Sequence, residues 1–240
     1  MTSKDVVSVE QRIPLFLLAS VLAAYPGPQF EPHVRALIDE PGLLISEALK
    51  NTIVACLNPS QIDDLRSEYI DVFERGRGSH SLYETEYGRA RALVKGSELA
   101  DISGFYHAFG FELSSVSSQE KEMLDHVAVE LEFYSLLLMK QCTLEDLGNE
   151  EGVSIVLDAR KKFLQDHLGR FTGAITQRPQ IKASAFYSQI FSFCDTLVSQ
   201  ECQLLDVGVV PATWLDNEKE SSDEVQCSTN GENEKLVQLG

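Results

Sequence analysis

Apolar residues between positions 13 and 203 recur every three or four residues, which is the period of an α-helix. No stretch alternates apolar and polar residues between hairpin turns, so the pattern predicts no β-strand. We therefore expect an all-α protein, a single-domain bundle of about eight to ten helices. The breaks between helices fall at the PGP run of residues 26–28, at Pro41-Gly42, in the glycine-rich run 75–80 and in the polar run 142–152.

Helix limits follow from the turn and cap residues that separate the apolar stripes. Pro14 is expected to open the first helix, Ser60 and Asp63 form a cap for the fourth, and Gly110 ends an aromatic stripe. The predicted segments are residues 13–25, 31–40, 43–57, 60–74, a helix ending at Gly110, 117–141, 153–172 and 180–203.

The predicted helix at 117–141 has apolar residues on nearly all of its faces, which places it in the middle of the bundle. Its start carries a capping box, because Ser117 can accept a backbone hydrogen bond while Glu120 reaches back. Charged residues nevertheless lie within the stretch, and buried carboxylates cost free energy unless they are paired. The residues that need an explanation are Asp125, His126, Glu130 and Glu132.

The two ends of the chain differ in character from its middle. Residues 1–12 are expected to be a flexible N-terminus and residues 13–215 the helical domain. From residue 216 to 240 the chain carries seven acidic residues against two lysines and few apolar side chains. Such a segment cannot bury enough surface to offset its ordering entropy, so we expect a mostly disordered acidic tail.

Composition and charge narrow the class of partner. The 240 residues are 43% hydrophobic, which is enough for a sizeable core in one domain. A formal net charge of −17 argues against a nucleic-acid binder, because such proteins need basic patches to neutralise phosphates. An acidic surface suits basic partners instead, although it also serves solubility.

The apolar run at 13–25 is too short to span a bilayer. The residues before it balance Lys4 and Arg12 against two acids, so they lack the positive bias of a secretory signal. Five cysteines without a CxxC pair are typical of free thiols in a reducing compartment. We expect a cytoplasmic protein with no membrane insertion.

Motifs for common enzyme chemistry are missing from the sequence, which has no GxSxG, GxGxxG or GxxxxGK[ST] run. His126 and Glu130 have the i,i+4 spacing of helical metal ligands, yet the Glu-x-x-His pairs of a di-iron bundle do not occur. Two interpretations stay open at this point, a metal or catalytic cluster and solvated or ion-paired helix edges. The cluster consists of Glu122, Asp125, His126, Glu130 and Glu132.

Several stretches resemble the TorD/NarJ superfamily of redox-enzyme maturation chaperones for molybdoenzymes. The central ones are DISGFYHAFGFEL at 101–113 and EMLDHVAVELEF at 122–133, where Met123 and Leu124 stand in place of the usual Arg-Pro of the family. The resemblance spans roughly residues 13 to 203. Its other elements are SEYIDVFERGRG at 67–78, LYE at 82–84, FLQDHLGRF at 163–171 and AFY at 185–187.

The resemblance implies a chaperone rather than an enzyme. It implies that the protein binds the catalytic subunit of a molybdopterin oxidoreductase before assembly and supports cofactor insertion. The N-terminal segment of that subunit, or its twin-arginine signal peptide, is a further implied ligand. No stably bound cofactor or metal is implied, with transient contact during molybdenum cofactor delivery left open, and the protein is expected as a monomer or weak homodimer.

The same resemblance points to residues that contact the partner. Aromatic side chains would form an apolar groove, and carboxylates would receive the basic end of the client segment. The alternatives are a small metalloenzyme that uses His126, His167 and carboxylates, and an accessory subunit of the mature oxidoreductase. The predicted partner-binding residues are Tyr69, Phe73, Tyr83, Glu84, Glu122, Asp125 and His126.

Overall fold

The computed structural model describes residues 7–75, 81–88, 91–112 and 123–213. Within these ranges the chain is almost entirely helical, with one isolated antiparallel bridge between Tyr83 and His126 and no strand. The predicted all-α class is therefore confirmed. Half of the predicted N-terminal segment, the acidic tail and the Ser117–Glu120 capping box lie outside the described residues.

Ten α-helical segments follow one another in the described chain, joined by short connections. Wide π turns extend two of them, at Ile70–Glu74 and Leu164–Leu168, and a 3₁₀ turn spans Glu84–Glu86. The helices are α1 Val9–Ala23, α2 Phe30–Ile38, α3 Glu47–Ala55, α4 Pro59–Tyr69, α5 Arg91–Ala108, α6 Val127–Asp146, α7 Glu150–Phe163, α8 Gly169–Thr176, α9 Pro179–Ala183 and α10 Tyr187–Leu204.

Helix α1 begins at Val9, so the prediction that Pro14 opens it was wrong. Ser8 caps the helix: its hydroxyl accepts the Gln11 N–H at 3.2 Å while the Gln11 side chain accepts the Ser8 N–H at 3.1 Å. This reciprocal pair satisfies two otherwise orphaned groups. Pro14 lies in the helix interior, where its missing N–H leaves the carbonyl of Glu10 without its usual partner.

Helix α6 begins at Val127 rather than near residue 117, which corrects the predicted start of the central helix. His126 is its N-cap, and the Nδ1 atom of that ring accepts the Ala128 N–H at 3.2 Å. Asp125 and His126 therefore precede the helix and do not lie on its faces. At the other end α6 runs to Asp146, so it takes up part of the polar run predicted as a loop.

Further helix limits differ from the prediction, and the helix predicted at 43–57 spans only Glu47–Ala55. Asn58 caps α4 with Pro59 in its first turn, so Ser60 is not the cap. The predicted helix at 153–172 begins at Glu150 and passes through a π turn into α8. The predicted helix at 180–203 is broken between α9 and α10.

The core is built around α6, which packs mainly against α1 on one side and α7 on the other. Leu131, Phe133, Tyr134 and Leu137 of α6 are completely buried. Burial of each such side chain contributes roughly 1.5–3 kcal/mol to the transfer free energy. The predicted central position of this helix is thus correct. None of the helices in the described ranges is both long and apolar enough to cross a membrane.

A buried ion network ties four helices together at the end of the bundle formed by α1, α6, α7 and α10. Arg160 donates to Glu201 and to Gln141, and its Nε lies 3.2 Å from the Tyr134 hydroxyl. That hydroxyl donates to Glu201 at 2.7 Å, and Arg12 pairs with the second carboxylate oxygen of Glu201. We call these five residues the paired network.

Candidate functional site

The predicted polar residues meet where residues 81–88, called the strap below, cross the start of α6. The Glu84 N–H donates to the Asp125 carbonyl and the Val127 N–H donates to the Leu82 carbonyl, both at 2.8 Å. The second bond satisfies one of the orphan N–H groups of the α6 N-terminus. The strap and the helix start therefore fix each other's backbone.

Asp125 holds the strap through its side chain as well. Its Oδ2 accepts the Thr85 hydroxyl at 2.6 Å and the Thr85 N–H at 3.2 Å. Asp125 is 1% exposed and Thr85 is fully buried, so these hydrogen bonds form in a low-dielectric environment. Thr85 was not among the predicted residues, and no sequence pattern marks it.

His126 is fully buried and faces aromatic rings. Because its Nδ1 accepts the Ala128 N–H, the proton belongs on Nε2, which lies 3.3 Å from the Tyr69 hydroxyl. The Tyr83 ring packs edge-on against the imidazole at a centroid distance of 5.0 Å. Burial lowers the pKa of His126 to about 3, so the ring is neutral at physiological pH.

Glu84 reaches the opposite side of the strap and pairs with His167. Its Oε2 lies 3.1 Å from Nδ1 of His167, whose Nε2 lies 3.2 Å from Asp101. Arg170 is a more distant partner, 3.7 Å from Glu84 and 3.5 Å from Glu98. Burial raises the pKa of Glu84. Burial by itself would lower the pKa of His167. The hydrogen bond to Glu84 and the negative charges of Glu84 and Asp101 outweigh burial and raise that pKa.

Glu130 is the least satisfied group of the site. It is fully buried in the first turn of α6, and neither of its carboxyl oxygens has a hydrogen-bond partner among the described residues. Burial raises the pKa of Glu130 well above its ordinary value, and the charges of Glu84 and Asp125 raise it further. Burial therefore favours the neutral, protonated form of Glu130. In the sequence, the only sign that Glu130 belongs to the site was its i,i+4 spacing from His126.

The aromatic residues predicted as a groove lie in the core. Tyr69 is 2% exposed and Phe73 is 1% exposed, and both contact the ring of Tyr187 edge-on. Tyr83 is partly exposed, whereas Glu84, Asp125 and His126 are buried. Partner binding by these residues stays a prediction, and Glu122 lies outside the described residues.

The alternative of a small metalloenzyme requires the side chains of His126, His167 and nearby carboxylates to lie close enough together to bind one metal ion. Glu84 pairs with His167, but His126 faces Tyr69 and Tyr83 instead. In the described part of the chain no group of three or more His, Cys, Asp or Glu side chains is placed to hold a metal ion.

Three cavities open near these elements. The largest, about 980 Å³, lies between α8, α10 and residues 207–213. A second of about 570 Å³ lies between α1 and α2, with Glu132 of α6 at its floor. The third, about 300 Å³, opens beside His167 and Arg170.

Comparison with known proteins gives one match. The family model of the nitrate reductase delta subunit matches residues 44–177, which is more than half of the 240-residue chain. No curated protein and no solved structure matches. The matched range contains the strap, the start of α6 and His167. The chain therefore belongs to the nitrate reductase delta subunit family of molybdoenzyme maturation chaperones, which confirms the resemblance to the TorD/NarJ superfamily.

Proposed function

We propose that this protein binds the unassembled catalytic subunit of a molybdopterin oxidoreductase in the cytoplasm and keeps it open for cofactor insertion. The observation that carries the proposal is the family match over residues 44–177. The client is released after assembly, so the protein is a chaperone and not a subunit of the mature enzyme. Contact with the molybdenum cofactor is transient and occurs only through the client.

The strap supports this proposal because it lies within the matched region and carries the partly exposed Tyr83. Its backbone is tied to the start of α6, but the carboxyl groups around it include buried oxygens that lack hydrogen bonds within the described ranges. Opening of the strap would let water solvate these oxygens, which lowers the free-energy cost of the movement. We therefore expect the strap to change its position when the client arrives.

The predicted residues take two roles in this proposal. Tyr83 is partly exposed on the strap and contacts the client directly. Glu84, Asp125 and His126 set the position of the strap from beneath, and they reach the client only when the strap moves. Tyr69 and Phe73 support His126 from the core.

Co-expression with a tagged catalytic subunit tests the proposal. The purified chaperone is expected to bind the cofactor-free subunit and not the mature enzyme, as measured by native mass spectrometry. Equal binding to the mature enzyme would make the protein an accessory subunit. Failure to bind either form would overturn the proposal.

Variants of the strap refine the same experiment. Tyr83→Ala is expected to reduce client capture several-fold with little change in melting temperature, because Tyr83 is partly exposed. The matched control is Leu147→Ala, which removes a side chain that is 74% exposed on the loop after α6. His126→Gln keeps a hydrogen-bonding group beside Tyr69 but removes the imidazole ring. It tests whether client capture depends on the ring or only on the hydrogen bond.

A further inference from the structure

We propose that the cavity between α8 and α10 is the docking site of the chain's own residues 214–220, and that this docking holds the strap against the start of α6. We call these residues the latch segment and the cavity the α8–α10 cavity. The effect on the strap rests on the proposed function, because it makes the latch segment a regulator of client capture. The docking itself does not depend on the client.

The α8–α10 cavity has apolar walls that are only partly covered. Its volume of about 980 Å³ lies at the upper end of the range of roughly 300–1,000 Å³ that is typical of binding pockets. Ala174 of α8, Val207 and Val209 line it, and all three side chains are half-buried. An apolar occupant would remove this surface from water, which is the main favourable term in association.

The course of the chain brings an apolar occupant to the rim of the cavity. Thr213, the last residue of the described range, lines the cavity itself. The next two residues are Trp214 and Leu215, so they need no long linker to reach the walls. A short flexible tether gives such a segment an effective concentration that is roughly millimolar. A separate molecule would have to compete with this tethered segment.

Gln180 offers a hydrogen-bond acceptor that suits a tryptophan. It lines the cavity, and its buried Oε1 has no hydrogen-bond partner within the described ranges. The indole N–H of Trp214 is a donor only, and it needs an acceptor when the ring is buried. Docking would satisfy both groups, which favours Trp214 over a purely aliphatic occupant.

The charge of the lining distinguishes this cavity from the other two. Its two arginines, Arg170 and Arg178, outnumber its one carboxylate, Asp195. The linings of the other two cavities carry more carboxylates than lysines and arginines. The latch segment has three acidic residues against Lys219 alone. The acidic surface of the protein repels such a segment, so the α8–α10 cavity is the most favourable of the three sites for it.

The described end of the chain connects the cavity to the strap. The Ala212 N–H donates to the Arg170 carbonyl, and the Gly88 N–H donates to the Thr213 carbonyl, both at 2.8 Å. Thr213 therefore lies between the last residue of the strap and the first residue of the latch segment. Docking of the latch segment restrains Thr213, and Thr213 in turn restrains the strap. Client binding requires the latch segment to leave the cavity.

Fluorescence of Trp214 tests the docking, because it is the only tryptophan of the chain. We expect blue-shifted emission, and quenching by acrylamide that is several-fold weaker than in a synthetic peptide of residues 210–220. Both signals should be independent of protein concentration. Emission and quenching equal to those of the peptide would overturn the inference. A signal that changes on dilution would make the occupant the tail of a second copy, which would overturn it as well.

A variant that fills the cavity tests the location of Trp214. Ser199 lines the cavity from an exposed position of α10, so Ser199→Phe should displace the latch segment and raise the quenching of Trp214 several-fold. The matched control is Ser192→Phe, the same substitution at an exposed position of α10 outside the lining. Melting curves verify that both variants fold. Unchanged quenching in Ser199→Phe would place Trp214 elsewhere and overturn the assignment.

Charge reversal within the latch segment leaves the described helices untouched. Asp216→Lys combined with Glu218→Lys should raise the quenching of Trp214, because the arginines of the lining then repel the segment. Asp223→Lys combined with Glu224→Lys makes the same charge change beyond the latch segment and should leave the quenching as in the wild type. Equal effects of the two pairs would show that overall charge controls Trp214 and would overturn the role of the cavity.

The effect on the strap is measured in the full chain with Trp214→Ser combined with Leu215→Ser. Hydrogen exchange at the Gly88 amide should become several-fold faster, because Thr213 is no longer restrained. Leu236→Ser combined with Val237→Ser removes two apolar side chains near the end of the chain and should leave this amide protected. Unchanged exchange at Gly88 in the first variant would overturn the link between the latch segment and the strap.

Client capture separates this inference from the proposed function. Trp214→Ser with Leu215→Ser should capture the catalytic subunit several-fold more strongly than the wild type, and the control pair should capture it like the wild type. Equal capture by all three proteins would overturn the regulatory effect alone. If none of them captures the subunit, the proposed function fails, and the fluorescence of Trp214 still decides whether the latch segment docks.

Discussion

Two buried polar clusters in this protein are built in opposite ways. In the paired network, Arg160 and Glu201 are each 1% exposed and every charged group has an opposite partner. Under the strap, the three buried carboxyl groups of Glu84, Asp125 and Glu130 have only His167 and a distant Arg170 as oppositely charged partners within the described ranges, although Asp125 also accepts hydrogen bonds from Thr85. Four carboxyl oxygens in this second cluster have no hydrogen bond within the described ranges.

The difference indicates which region is fixed and which can move. A fully satisfied buried network holds its helices in one arrangement, because loss of any member leaves a buried charge uncompensated. A cluster with unsatisfied carboxyl groups loses less when it opens, since water can then solvate them. The predicted residues Glu84 and Asp125 belong to the second cluster, whereas the family match covers that cluster and part of the paired network.

The largest expected effect comes from breaking the paired network. Glu201→Ala leaves Arg160 buried without its carboxylate and should lower the free energy of unfolding by about 3–5 kcal/mol. Urea unfolding monitored by circular dichroism measures the change. Asp195→Ala, at a half-buried carboxylate of the same helix α10, is the control and should cost far less. Equal losses would mean that the two carboxylates contribute alike.

The next effect concerns the bond that holds the strap. Thr85→Val removes the hydroxyl that donates to Asp125 at 2.6 Å and should cost about 1–3 kcal/mol. Hydrogen exchange should rise most at the Glu84 and Val127 amides, which bridge the strap and α6. Thr172→Val removes a longer bond of 3.3 Å to Asp195 and should leave these two amides protected.

Glu130→Gln should stabilise the protein by about 1 kcal/mol near pH 8, because a neutral amide removes a carboxyl that folding must keep protonated. The pKa of Glu130 is raised in the folded state, so its contribution to stability is fully present below the unfolded pKa of about 4.5 and is lost as pH rises through the folded pKa. The gain should therefore grow with pH. Urea unfolding of both proteins between pH 5 and 8 measures it, and a gain independent of pH would contradict the raised pKa of Glu130.

The smallest expected effect is spectroscopic. His126, with its pKa lowered to about 3, should show no titration in NMR spectra recorded above pH 5. His167, whose pKa is raised by Glu84, should titrate above the ordinary histidine range. Glu84→Gln should lower the pKa of His167 and leave the His126 resonances in place. Titration of His126 near neutrality would show that its site is open to water.

Much of the fold could be predicted from local patterns. The 3.6-residue period of apolar positions established the helical class and the central place of the stretch that contains α6. Gly110 ends the helix with the aromatic stripe, as expected, with a φ of 64° that glycine adopts readily. The Ser8–Gln11 capping box was also present in the sequence, but the prediction placed the helix start at Pro14.

The start of α6 could not be predicted in this way. Residues 123–126 directly precede a helix, yet their backbone pairs with a strap that lies about forty residues earlier. A local pattern contains no information about such a partner. For the same reason Asp125 and His126 were expected within a helix, whereas they lie before it.

The sequence by itself determined that this chain is helical, acidic and similar to a family of chaperones, because periodicity, charge and motifs are local properties. Only the tertiary structure decided that Tyr69, Phe73 and His126 are buried and that Glu132 faces an apolar groove. Burial depends on which helices pack together, and helix packing joins residues far apart in the chain. The candidate residues were thus proposed from the sequence, and the tertiary contacts show which of them are buried and which are exposed.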